Sequence, residues 1–148
     1  MQRLKCTIAY DGTHFNGFQI QPNNRTVQGV LQDAIKIIHK GLDVPVVGSG
    51  RTDAGVHANA QVIHFDSPLT IPINKWRLAL TSRLPKDIVV RDVVEVDPQF
   101  HARFNVIQKE YRYRVLSSPI QDVFRRQYTY HVPTELNIEH MKKAAVFL

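Results

Sequence analysis

Leu4-Lys5-Cys6-Thr7-Ile8-Ala9-Tyr10-Asp11-Gly12 is the stretch from which the fold can be read. Leu4, Cys6, Ile8 and Tyr10 alternate with Lys5, Thr7 and Ala9, the period-two pattern of a strand. Asp11-Gly12 ends it with turn chemistry. A polar loop containing Gln19, Gln21, Pro22, Asn23 and Asn24 follows. Thr26 is placed to cap a helix whose apolar face is Val27, Leu31, Ala34, Ile35 and Ile38, and Gly41 is placed to end it. Val44 to Val47 reads as a short β-branched strand broken by Gly48-Ser49-Gly50, and Gln61 to Phe65 as another, closed by Ser67-Pro68. Ile73, Trp76, Leu80 and Leu84 predict a second helix that Pro85 stops. The valine-rich run Ile88 to Val96 predicts a buried strand. Strand, helix, strand, strand, helix, strand is the order of an α+β, ferredoxin-like βαββαβ domain, an antiparallel sheet with two helices on one face.

From Asn105 onward the pattern starts again. Lys109 to Leu116 alternates, with Tyr111, Tyr113 and Val115 on one face and Arg112 and Arg114 on the other. Tyr128 to Val132 reads as a further strand, and Asn137 caps a helix striped by Ile138, Met141, Ala145 and Leu148. Residues 1–104 are therefore expected to form the first domain and residues 105–148 the beginning of a second, truncated one. The last residue falls on an apolar stripe, so the chain reads as the N-terminal portion of a longer protein.

Hydrophobic residues make up 43% and charged residues 22% of the 148, an ordinary globular balance. No run of 18 apolar residues is present, which excludes a helical membrane span. The first residues carry no secretory signal pattern, and the single cysteine, Cys6, cannot close an internal disulfide. Both fit the cytoplasm. The formal charge of +6 and a pI near 9.7 suit a polyanionic partner. Arg103, Lys109, Arg112, Arg114, Arg125 and Arg126 cluster near Phe104, Tyr111 and Tyr113, which offers phosphate contacts and stacking surfaces, or simply a solvated basic face.

The densest chemistry lies in Gly48-Ser49-Gly50-Arg51-Thr52-Asp53-Ala54-Gly55-Val56-His57-Ala58. Three glycines make a tight loop between two strands, holding one carboxylate, one guanidinium and one imidazole. A carboxylate beside an arginine is favoured in its ionised form and can act as a nucleophile at neutral pH. The pattern is also served by a plain hairpin in which Asp53 caps the turn and pairs with Arg51. Seven histidines contain no H-E-x-x-H pair, so no metal site is expected. A Ser49, Asp53, His57 triad lacks the nucleophile elbow such a triad needs.

Gly50 to Ala58 resembles the signature of the A family of tRNA pseudouridine synthases. The resemblance continues through Gln61 to Phe65 and includes Ala9 to Thr13, Phe15 to Gln21, Leu84 to Ile88, Phe100 to Phe104 and Lys109 to Tyr113. These blocks stand in family order and spacing across essentially the whole chain. The resemblance implies the pseudouridine synthase fold, with Asp53 as the catalytic nucleophile. It implies that Arg51 pairs with this aspartate and helps hold the place of the flipped-out nucleotide. Tyr111 would pack against the target base, while His57, His101 and Arg103 would support the cleft or the RNA backbone. The implied reaction breaks the N1–C1′ bond of uridine, rotates the base and rejoins it through C5. It is redox-neutral and calls for no cofactor. The implied substrate is tRNA near the anticodon stem-loop, and the full-length protein is implied to be a homodimer. The rival reading is a non-catalytic RNA-binding module, above all for a chain of this length.

Overall fold

The computed structural model describes residues 1–147, so Leu148 of the predicted apolar stripe lies outside the described residues. The chain divides into two compact units, Met1–Ile107 and Gln108–Leu148. In the first, β1 (Gln2–Tyr10), α1 (Val27–Ile38), β2 (Val47–Gly48), β3 (Ala58–Ser67), α2 (Ile73–Thr81) and β4 (Ile88–Val96) follow in the expected order. The sheet runs β2-β3-β1-β4 and every pairing is antiparallel. Leu4, Cys6, Ile8 and Tyr10 are buried, as their alternation predicts, and join Leu31, Ile35, Ile63, Phe65, Trp76, Leu80 and Val90 in one core.

Several boundaries differ from the sequence reading. Val44 and Val46 are buried but lie outside the ladder, and β2 is only Val47–Gly48. Their β-branched side chains answer to the core, whereas strand length answers to where β3 offers hydrogen bonds. β3 extends beyond Gln61–Phe65 at both ends because β1 pairs with it over its whole length. α2 stops at Thr81, four residues before Pro85, with Leu84 only packed against the core. β4 is buried on one face rather than both. Its register with β1 shifts between Thr7↔Asp92 and Ile8↔Val90, so Arg91 is an extra residue and Val93, not Asp92, turns inward after Val90.

Thr26 caps α1, its hydroxyl accepting the Gly29 amide at 3.3 Å. Thr26→Ala is expected to cost about 1 kcal/mol, measurable as a lowered urea midpoint; an unchanged midpoint would remove the cap from the account. Beyond the helix, Gly41 has φ +97° and its amide reaches the Lys36 carbonyl at 2.9 Å, closing the C-terminus as predicted. His39 is buried beside Trp76 and Phe65. Its Nδ1–H donates to the Ile35 carbonyl at 2.8 Å, and its Nε2 lies 2.8 Å from Ser67 Oγ, which accepts the Leu69 amide, so both ring nitrogens have partners.

The segment after β4 returns across the opposite sheet face. Arg3 donates through Nε and Nη2 to both Asp66 oxygens, at 2.7 and 2.6 Å, and through Nη1 to the carbonyls of Pro98 and Phe100. The hydrogen bond from Arg3 holds the Asp66 carboxyl below the usual range, against a smaller opposing effect of burial. The stabilisation is therefore present above the unfolded carboxyl value, about pH 4, and is lost as pH falls through the lower folded value. The wild-type melting temperature is expected to fall more steeply below pH 4 than that of Asp66→Asn; parallel curves would contradict this.

In the second unit, β5 (Val115–Ser117) pairs in parallel with β6 (Tyr130–Val132), and α3 (Ile138–Ala145) follows. The alternation from Lys109 to Leu116 therefore yields a strand only at its end. Residues 109–113 have no neighbouring strand among the described residues, and Arg114 offers only its carbonyl, which accepts the Tyr130 amide at 2.8 Å; a pattern of side chains forms a strand only where another backbone supplies hydrogen bonds. The strand read at Tyr128 to Val132 likewise begins at Tyr130. Asn137 caps α3 as expected, accepting the His140 amide at 2.9 Å, but Ile138 and Met141 are about half exposed.

Candidate active site

The loop between β2 and β3 is held in place by the segment that leaves β1. The Tyr10 hydroxyl is 2.8 Å from Thr52 Oγ1 beneath the loop. Burial pushes the Tyr10 phenol up, which keeps it protonated. Phe18 N–H donates to the Thr52 carbonyl at 3.0 Å, and Gly55 N–H to the Phe15 carbonyl at 3.1 Å. Two glycines permit this contact. A Cβ on Gly12 would lie 2.0 Å from the Val56 carbonyl oxygen. A Cβ on Gly17, whose φ is +85°, would lie 2.6 Å from that of Thr52.

From behind, Ser49 N–H donates to the Val62 carbonyl at 2.8 Å and Gln61 Nε2 to the Gly50 carbonyl at 2.5 Å. The Phe18 ring fills the space over Gly48 that a Cβ would occupy. Residues 11–26 strap the loop in place and are themselves closed by Arg25, which lies 3.9 Å over the Phe15 ring and pairs with Asp87 at 2.9 Å.

This bracing presents Arg51, Thr52, Asp53 and Ala54 to a polar cavity of about 340 Å³, completed by Asn16, Gln19 and Gln21. Asp53 and Arg51 are both exposed and share this cavity, and no ion pair joins them among the described residues. The volume is within the range of small-molecule pockets. A carboxylate here is reachable from outside while its backbone is fixed from three sides.

The other sequence-predicted residues lie elsewhere. His57 is behind the loop, where Nδ1 accepts the Gly12 amide at 3.1 Å and lies 3.1 Å from Asp11 Oδ1. One ring nitrogen cannot accept from the amide and donate to the carboxylate together; the first contact needs a bare Nδ1 and the second an Nδ1–H. His101 and Arg103 belong to the segment on the far half of the sheet. The Ala102 amide donates to His64 Nδ1 at 3.1 Å, and the His101 ring packs on His64 and stacks on Phe104 at 4.2 Å. His64 is six residues along β3 from Ala58, roughly 20 Å at a strand's rise of ~3.3 Å. Burial, then Arg3, pushes the His64 imidazole down, which keeps that ring neutral. Tyr111 is in the second unit and exposed.

Sequence reasoning missed Tyr10 and Thr52 as supports and Asn16, Gln19 and Gln21 as lining. Tyr10 carried only the signal of a core strand residue. The glycines at 12 and 17, in a loop with no hairpin to explain them, were the signal of close backbone approach.

The family model described as tRNA pseudouridine synthase matches residues 7–105, the strap, the loop and the sheet that carries them. The chain belongs to the tRNA pseudouridine synthase family. It is 55% identical over 148 residues to tRNA pseudouridine synthase A of Halalkalibacterium halodurans, covering 100% of this chain and 56% of that protein. It is 54% identical over 147 residues to the protein of the same name from Bacillus subtilis, covering 99% of this chain and 60% of that protein. For that of Geobacillus kaustophilus the identity is 56% over 143 residues, covering 97% and 55%. The chain thus spans a little over half the length of these relatives. Among the described residues no helix is long and apolar enough to cross a membrane, and no group of three His, Cys, Asp or Glu side chains is placed to hold a metal ion.

Proposed function

We propose that the intact protein isomerises uridine to pseudouridine in the anticodon stem-loop region of tRNA, with Asp53 as nucleophile. The observation that carries this reading is Asp53 itself, an exposed carboxylate on a loop braced from three sides, in a cavity shared with Arg51, in a chain of this family. The carboxylate attacks either C6 of the base or C1′ of the sugar. The N1–C1′ bond breaks, the base turns, C5 bonds to C1′, the bond to Asp53 breaks to return its carboxylate, the C5 proton is lost and N1 gains one. Arg51, which makes no ion pair with Asp53 among the described residues, closes onto it as the nucleotide is extruded and holds the vacated place. Extrusion costs a few kcal/mol, least in a loop.

Tyr111 supplies an aromatic platform on which the ring turns without a fixed hydrogen-bond register. His57 supports the loop from behind, while His101 and Arg103 support the cleft or contact the RNA backbone. Lys109, Arg112, Arg114, Arg125 and Arg126 add a phosphate-binding run in the second unit. The protein works in the cytoplasm as a homodimer, without a cofactor. Incubation of the intact protein with tRNA carrying tritium at uridine C5 tests the reading. Release of tritium into water is expected; retention of the label by folded, tRNA-binding protein would overturn it.

A further inference from the structure

The cavity around Asp53 holds three carboxamides, and they are not equivalent. Gln21 is committed, its Nε2 donating to the Asn16 carbonyl at 2.8 Å and its Oε1 facing Asn24 Nδ2 at 3.5 Å. The side chains of Gln19 and Asn16 make no hydrogen bond among the described residues. Of these two, Gln19 sits between a doubly anchored neighbour and a singly anchored one. Phe18 N–H donates to Thr52, and the Phe18 carbonyl accepts the Gln28 amide at 2.8 Å. On the other side, Ile20 N–H donates to Gln28 Oε1 at 3.0 Å. A free donor–acceptor pair is therefore carried on backbone tied to the loop that bears Asp53.

The chemistry defines what such a group can do. Uracil presents O2, N3–H and O4 along one edge, an acceptor, a donor and an acceptor. Exchanging N1 for C5 at the sugar is a half-turn of the ring about the line from N3 to C6. That half-turn swaps O2 with O4 and leaves N3–H where it was, so the edge offers the same pattern before and after. A carboxamide accepting from N3–H and donating to the adjacent carbonyl fits both the reactant and the product orientation.

We propose that Gln19 is a substrate-binding residue that holds the N3–H edge of the target uracil through the isomerisation. This rests on the isomerase reading above and adds the group that retains the base while its bond to the sugar is open. Gln19→Met keeps the length and removes both hydrogen-bonding groups; because the side chain is exposed, the fold is expected to be unaffected.

The test measures pseudouridine formation by the intact protein on a tRNA with uridine, or N3-methyluridine, at the modified position. Gln19→Met is expected to lower kcat/KM for uridine by roughly 10- to 100-fold, with tRNA affinity, dominated by phosphate contacts, unchanged. On N3-methyluridine, which cannot donate from N3, wild type and Gln19→Met are expected to be equally slow. A change under twofold on uridine, or the same fold loss on both substrates, would overturn the role of Gln19. Loss of activity in Asp53→Ala alongside an unaffected Gln19→Met removes this inference and leaves the isomerase reading standing. An intact wild-type protein that forms no pseudouridine removes both.

Discussion

Asp53→Ala in the intact protein is expected to abolish tritium release from C5-labelled tRNA, a loss of about 10⁴-fold or more in kcat, the scale seen when a nucleophile is deleted. Stability is expected to change by no more than about 0.5 kcal/mol, because the side chain is exposed and accepts no hydrogen bond among the described residues. Asp53→Asn removes the charge at nearly constant shape and is expected to be as inactive, since a carboxamide can neither form the covalent bond nor balance developing positive charge. Binding of tRNA is expected to survive both substitutions. A variant that binds, folds and still releases label would eliminate Asp53 as nucleophile. A protein whose only role is binding would instead lose affinity and salt dependence through Arg112→Ala, with Asp53→Ala indistinguishable from wild type.

Gly12→Ala is the second large effect. A Cβ at position 12 would stand 2.0 Å from the Val56 carbonyl oxygen and 2.5 Å from its carbon. Neither atom is the end of a flexible side chain, so strap and loop must separate by about 1 Å, and a displacement of that size near reacting groups costs on the order of 100-fold in rate. The overpacking is expected to lower stability by about 1–3 kcal/mol as well. Gly41→Ala is the comparison. Its φ of +97° is itself unfavourable for a side chain, which the backbone of Gly12 is not, yet a Cβ there meets nothing within 4 Å. It is expected to cost about 1 kcal/mol of stability and no activity. Equal kcat in the two variants would show that contact between strap and loop does not position Asp53.

The two predictions rest on different kinds of information. Asp53 stands out in the sequence as a candidate through the family resemblance of Gly50 to Ala58, since the local pattern alone is served as well by a plain hairpin. The importance of Gly12 does not stand out, because its constraint comes from Val56, distant in sequence. His101 and Arg103 show the converse: their motif is conspicuous, but packing places them on the far half of the sheet, with His64, Phe104 and the Arg3–Asp66 pair nearby. Likewise, the alternation of Lys109 to Leu116 is genuine, yet pairing is set by neighbouring backbone, and the run has it only from the Arg114 carbonyl onward.

By itself, then, the order of residues determined the βαββαβ succession, the N-caps at Thr26 and Asn137, and the inward set of β1. Each follows from period and capping chemistry within a dozen neighbouring residues. Tertiary structure alone decided that Arg91 bulges so that Val93 faces inward, and that Tyr10 and Gly12 to Phe18 brace the Asp53 loop. It alone decided that Gln19 and Asn16 share the cavity of Asp53. Those outcomes depend on which distant backbones meet, a property of closed packing that no local pattern encodes.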